Sequence, residues 1–166
     1  MTTSRTSDSP IFGYLSIVED PAFGFTAGLL AVCDRGRPLE FHCTEPVQPS
    51  RAQEILFGPT LRPYLLGEQL AGALLSKTKL PIALLLVDDA DAANSERESV
   101  LLDASGQLVG PLSEQANALV DRLSDSIDPS EPFERVREAI REAQRMASPD
   151  TDSAEDDLTG GARAAA

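Results

Sequence analysis

Six consecutive apolar residues, Ile82-Ala83-Leu84-Leu85-Leu86-Val87, constrain this chain more than any other feature. Pro81 opens the run and Asp88-Asp89 closes it. A run of that length is a strand length, far short of the roughly 20 residues of a bilayer-spanning helix. Successive side chains of a strand point to opposite faces, so a strand apolar throughout must be covered on both. Leu29-Leu30-Ala31-Val32-Cys33 has the same character. Two such strands call for a sheet covered by helices, and 166 residues with 42% apolar content suffice to build one core domain. The expected class is α+β.

The flanking segments fill in the order. Residues 11–18 read as a first strand, broken by Glu19-Asp20-Pro21, and a second strand follows over about 23–33. Gly36, between Asp34-Arg35 and Arg37, marks a tight hairpin into a third strand at 39–43. That strand alternates. Leu39, Phe41 and Cys43 take the core face, and Glu40 and His42 the outer one. Three such strands form an antiparallel meander.

Ser50 and Gln53 have the spacing of a capping box, opening a short helix that Gly58-Pro59 ends. Thr60 caps a second helix over 61–77, with Leu61, Leu65, Leu66, Leu70, Ala73 and Leu74 as its buried stripe. After the 82–87 strand, residues 88–98 read as a polar loop. A fifth strand at 99–103 turns at Ser105-Gly106. A helical hairpin over 113–147 closes the domain. Ser113 caps its first helix, with Ala116, Leu119, Val120, Leu123 and Ile127 on one face. Ser130 caps the second, with Phe133, Val136, Ile140, Ala143 and Ala147.

Domain organisation follows from composition. Residues 1–10 read as a flexible leader with no apolar core of a secretory signal. Residues 11–147 form one domain. Residues 148–166, with five acids and one arginine, are expected to be a disordered tail, either solubilising or a short recognition peptide. Cys33 and Cys43 make no disulfide framework and read as buried free thiols, which fits a reducing cytoplasm. The net charge of −13 argues against a polyanion-binding face, so no nucleic-acid partner and no membrane partner are expected.

Three strands, a helix and a buried strand resemble the element order of RNase H-like folds. Enzymes of that fold carry metal-binding carboxylates on the first strand, on the first helix and at the end of the fourth strand. The resemblance implies, at matching positions, Glu19 and Asp20, Glu54 or Glu68, and Asp88 and Asp89. Such a cluster would hold Mg²⁺ or Mn²⁺ and activate water for hydrolysis of a phosphodiester. A second resemblance runs over about residues 11–90. Arg37-Pro38-Leu39-Glu40-Phe41-His42-Cys43-Thr44-Glu45-Pro46-Val47, the segment from Arg51 to Gly58 and Leu61-Arg62-Pro63-Tyr64 look like a family of uncharacterised bacterial proteins. It implies a bacterial origin and no activity.

No zinc spacing is present, and His42 and Cys43 point to opposite faces of their strand, which disfavours a shared ion or a Cys–His nucleophile pair. No phosphate-cradling glycine motif occurs. The function expected from the residues is therefore a non-catalytic protein-binding or adaptor module without a cofactor. Its anchors would be Phe133, Val136 and Ile140, provided that stripe is exposed, with Glu40 and His42 as an outer recognition pair. The alternatives are a divalent-metal-dependent hydrolase or nuclease using the carboxylates above, and an oligomeric structural subunit.

Overall fold

The computed structural model describes residues 9–93, 99–103 and 105–147. The expected tail from Ser148, and the leader up to Asp8, lie outside the described residues. Six strands form one mixed sheet: β1 (Ile11–Asp20), β2 (Gly24–Val32), β3 (Pro38–Cys43), β4 (Ile82–Val87), β5 (Ser99–Leu102) and β6 (Leu108–Val109), in the spatial order β3-β2-β1-β4-β5-β6. The first three make the expected antiparallel meander. β4 lies parallel to β1 on one side and to β5 on the other. That central position is what its apolar run required, and Leu84 to Val87 are all buried.

Strand β1 runs two residues further than the sequence suggests. Glu19 and Asp20 pair with Phe25 and Gly24, and the break comes at Pro21, after Asp20 has accepted hydrogen bonds from the Ala22 and Phe23 amides. The hairpin at Gly36 forms as expected, with Gly36 at φ +78°, where a side chain would be strained.

Helices cover both faces. On one, α1 (Arg51–Phe57) leads through a 3₁₀ turn, Gly58–Thr60, into a continuous rod made of α2 (Leu61–Pro63), a π-helical stretch, Tyr64–Ala71, and α3 (Gly72–Lys77). The rod buries Leu65, Leu66, Leu70, Ala71, Leu74 and Leu75 against Leu15, Leu29 and Leu85. The expected stripe was slightly out of phase. Ala73 is exposed, whereas Ala71 and Leu75 are buried. The i→i+5 bonding of a π stretch winds more residues into each turn, which delays the apolar face by one position. Thr60 does not cap the rod; its hydroxyl donates to the Phe57 carbonyl instead.

On the other face, α4 (Glu114–Ser124) and α5 (Glu131–Ala147) bury Ala116, Val120, Leu123, Phe133, Val136 and Ile140 against Phe12, Tyr14, Leu84, Leu86, Val100 and Leu102. Burying the valine, leucine, isoleucine and phenylalanine side chains among these is worth roughly 1.5–3 kcal/mol each. Ser113 caps α4 by accepting from the Ala116 amide. At the start of α5 the expected cap Ser130 is itself held, by donating its amide and hydroxyl to Asp128. Helix α5 comes very close to β2. A Cβ on Gly28 would stand 2.8 Å from Val136 Cγ1 and 2.9 Å from Ile140 Cδ1.

The third strand is only half-inserted. Phe41 and Cys43 pack on the α5 face as expected, but Leu39 is exposed. Both cysteines are free, and both are half-buried rather than buried. No helix among the described residues is long and apolar enough to cross a membrane.

Candidate functional site

Strand β4 ends at Val87 opposite Leu15 of the parallel β1, which runs on to Asp20, and strand alternation sends Asp88 and Asp89 to opposite faces. Leu84 and Leu86 belong to the α5-side core, so Asp88, two residues on, follows them. Leu85 and Val87 belong to the rod side, so Asp89 follows those. Each carboxylate meets an arginine from the helix on its own face.

On the α5 side, Arg137 Nη1 lies 2.5 Å from Asp88 Oδ2, and its Nη2 lies 2.7 Å from Glu134. Ser16, fully buried on β1, donates its hydroxyl to the same Asp88 oxygen at 2.8 Å. Burial raises the Asp88 carboxyl above its usual range, while the Ser16 hydrogen bond and the Arg137 charge pull it back. Beside this group a polar cleft of about 340 Å³ is lined by Asp88, Asp103, Glu131, Glu134 and Arg137, with Ser130 and Phe133. Tyr14, outside the lining, backs Phe133. It donates to the Pro129 carbonyl at 2.7 Å and packs edge-on against Phe133. Burial, then the Glu131 charge, raises its phenol.

On the rod side, Arg62 gathers three acids. Its Nη2 is 2.5 Å from Asp89, its Nε 2.9 Å from Asp91 and its Nη1 3.5 Å from Glu19. Its guanidinium also sits 5.6 Å from the centre of the Phe25 ring, within cation–π range. Burial alone would lower its pKa, but the Asp89 hydrogen bond and the surrounding charges raise it.

The six carboxylates considered as metal ligands therefore do not converge. Asp88 faces α5. Asp89 and Glu19 face the rod and are tied to Arg62. Asp20 holds the β1–β2 turn. Glu54 pairs with Arg51 on α1, and Glu68 stands on the outer face of the rod. Among the described residues, no group of three or more His, Cys, Asp or Glu stands close enough to hold a metal ion. The carboxylates present do not fit Mg²⁺ or Mn²⁺ in the arrangement that the element order implied. Sequence reasoning missed the partners that occupy them. Ser16 was a lone hydroxyl in an apolar strand run, and Arg137 sits directly beside the apolar stripe of its helix; those are the signals that could have pointed to them.

The anchors expected on α5 are corrected by the same packing. Phe133, Val136 and Ile140 are fully inside the core, because that stripe is what covers β1 and β2. They are not available to a partner. Glu40 and His42 share one strand face, as expected, and are bonded to each other. The His42 hydrogen bond holds the Glu40 carboxyl below its ordinary range, with smaller contributions from Thr78 and the Lys79 backbone.

The exposed apolar surface lies elsewhere. Helix α1 is capped by the complete Ser50–Gln53 box, yet it buries none of its residues. Ile55 is 64% exposed and Leu56 82% exposed. Phe57, at its end, stacks on Tyr64 of the rod with ring centres 4.6 Å apart. These two rings, with Pro63, Glu68 and Asp91, line an open groove of about 760 Å³.

No family model matches the chain, and no curated protein matches it. Among solved structures, it is similar to an endonuclease V from Ciona intestinalis, in complex with a 23mer DNA containing an inosine followed by a ribo-adenosine. The TM-score is 0.39 at 10% identity, over 72% of this chain and 57% of that one. A likeness that faint says nothing of the chemistry of this chain. The expectation that a nucleic-acid partner is ruled out nevertheless does not stand. The physical reason is that a net charge of −13 bounds a sum and leaves its distribution over the surface open.

Proposed function

We propose that this chain is a non-catalytic protein-binding module. The observation that carries the reading is α1. Seven residues are too few to be helical on their own account, since nucleation alone makes isolated helices of that length marginal. The helix is nonetheless capped at its start and closed at Gly58, and it presents Ile55 and Leu56 to solvent. Exposed apolar side chains held on a fixed element are the usual anchors of an interface core. The strand-end carboxylates support the same reading, because Asp88 and Asp89 are already engaged by Arg137 and Arg62.

The test immobilises the full chain and the double variant Ile55→Ser, Leu56→Ser, and passes lysate of the source organism over both. The expected result is a stoichiometric protein retained by the unaltered chain and lost by the variant, with equal far-UV circular dichroism. Retention of nucleic acid by both would overturn the reading, as would saturable Mn²⁺ binding with no protein retained.

A further inference from the structure

We infer that the groove lined by Phe57, the rod and the segment 90–93 receives a lysine- or arginine-bearing apolar segment of a partner protein; this rests on the protein-binding reading and names the partner's chemistry. The groove has the volume of a site for a few side chains, not for a whole domain surface. Its apolar walls are Phe57, Pro63 and Tyr64. The two rings stack at an interplanar angle of 20°, and Gln69 donates to the Tyr64 hydroxyl at 2.9 Å, which fixes the outer ring in place.

Charge decides the sign of the occupant. No lysine or arginine lines the groove among the described residues, and its two charged side chains are Glu68 and Asp91. Asp91 is paired with Arg62. The Glu68 side chain makes no ion pair or hydrogen bond among the described residues and is exposed. An unpaired carboxylate beside a stacked aromatic pair attracts a cation on two counts, by its charge and by the ring quadrupole. Ile55 and Leu56 lie outside the groove lining, exposed on the helix that ends in Phe57, where a bound segment longer than the groove would extend over them. A second copy of this chain is a poor occupant, because it would bring another net charge of −13 to an acidic groove. The fitting mode is an amphipathic segment laid into a groove, with apolar anchors on one side and a cation reaching Glu68.

The chain supplies its own reporter. It has no tryptophan and two tyrosines, of which Tyr14 is fully buried and Tyr64 lines the groove. The probe is a synthetic helical peptide of leucine and lysine with leucines at i, i+3, i+4 and i+7. A peptide of the same composition in scrambled order is the control. The expected result is a saturable change in tyrosine emission with the amphipathic peptide and none with the scrambled one. Leu56→Ser and Glu68→Lys should each weaken binding about tenfold, as for a lost anchor, with the fold intact. Tyr64→Phe should abolish the emission change while the anisotropy of a labelled peptide still reports binding. Equal binding of the scrambled peptide, or no weakening in either variant, overturns the inference. If lysate capture depends on Ile55 and Leu56 but the peptide does not bind, the groove assignment falls and the protein-binding reading stands. If both fail, both fall.

Discussion

Asp88 shows how one residue can oppose the usual acid lability of a protein. Its carboxyl is raised above the ordinary aspartate range, burial being the largest cause and the Ser16 bond and Arg137 charge the largest counterweights. A carboxyl raised on folding takes its proton in the folded state first as pH falls. Its contribution to stability therefore grows as pH falls through the folded pKa, and levels off below the unfolded one. The charged groups around it are Arg137, which pairs with both Asp88 and Glu134, and Asp89, whose charge raises it from the other face of the sheet. Glu134 is lowered by Arg137 and works the other way. Replacing Asp88 by Asn removes the favourable contribution. The stability difference between the unaltered chain and Asp88→Asn should then grow in favour of the unaltered chain from pH 7 to about pH 4. Urea denaturation at the two pH values checks this, and a constant difference would contradict it.

At the scale of elements, most of the order was legible and the faces less so. Alternation and turn chemistry gave β1, β2, β3 and β4, because Gly36, Pro21 and Pro81 act locally. The Ser50–Gln53 box was legible for the same reason. The π stretch was not, since it has no sequence period of its own and shifts the phase expected for an α-helix. Nor could local reading tell that α5 lies against β2, which decided that Phe133, Val136 and Ile140 are core. That contact is set by Gly28 on β2, over a hundred residues from the helix in sequence.

Close approach there is a quantitative claim. A Cβ at Gly28 would meet Val136 Cγ1 at 2.8 Å and Ile140 Cγ1 at 2.9 Å. Val136 is β-branched and fully buried, so it cannot swing aside, and the helix must move. Gly28→Ala should cost about 1–3 kcal/mol, the range for overpacking a filled core. A lower urea midpoint at unchanged slope would report it, and an unchanged midpoint would show that α5 rides further from β2.

The whole molecule is two cores back to back on one sheet. Leu84 and Leu85 are sequence neighbours on β4, yet Leu84 packs with the α4 and α5 layer and Leu85 with the rod. Each is essentially inaccessible to solvent. Truncating either to alanine should cost about 2–5 kcal/mol, the transfer loss plus the cavity left behind. The more telling expectation concerns cooperativity. The sheet is shared, and β1 and β4 at its centre carry side chains into both cores, so neither layer keeps its support when the other opens. Leu84→Ala and Leu85→Ala should thus lower one common transition and not split it. Tyr14 lies in the first core and Tyr64 on the rod, so Tyr64→Phe leaves a chain whose only tyrosine reports the α5 layer. In that background, tyrosine emission and far-UV circular dichroism should give superimposable unfolding curves, with or without Leu85→Ala. A dichroism transition preceding the tyrosine transition in the Leu85→Ala chain would mean that the rod detaches alone, and that the groove it lines opens at lower cost than the rest of the fold.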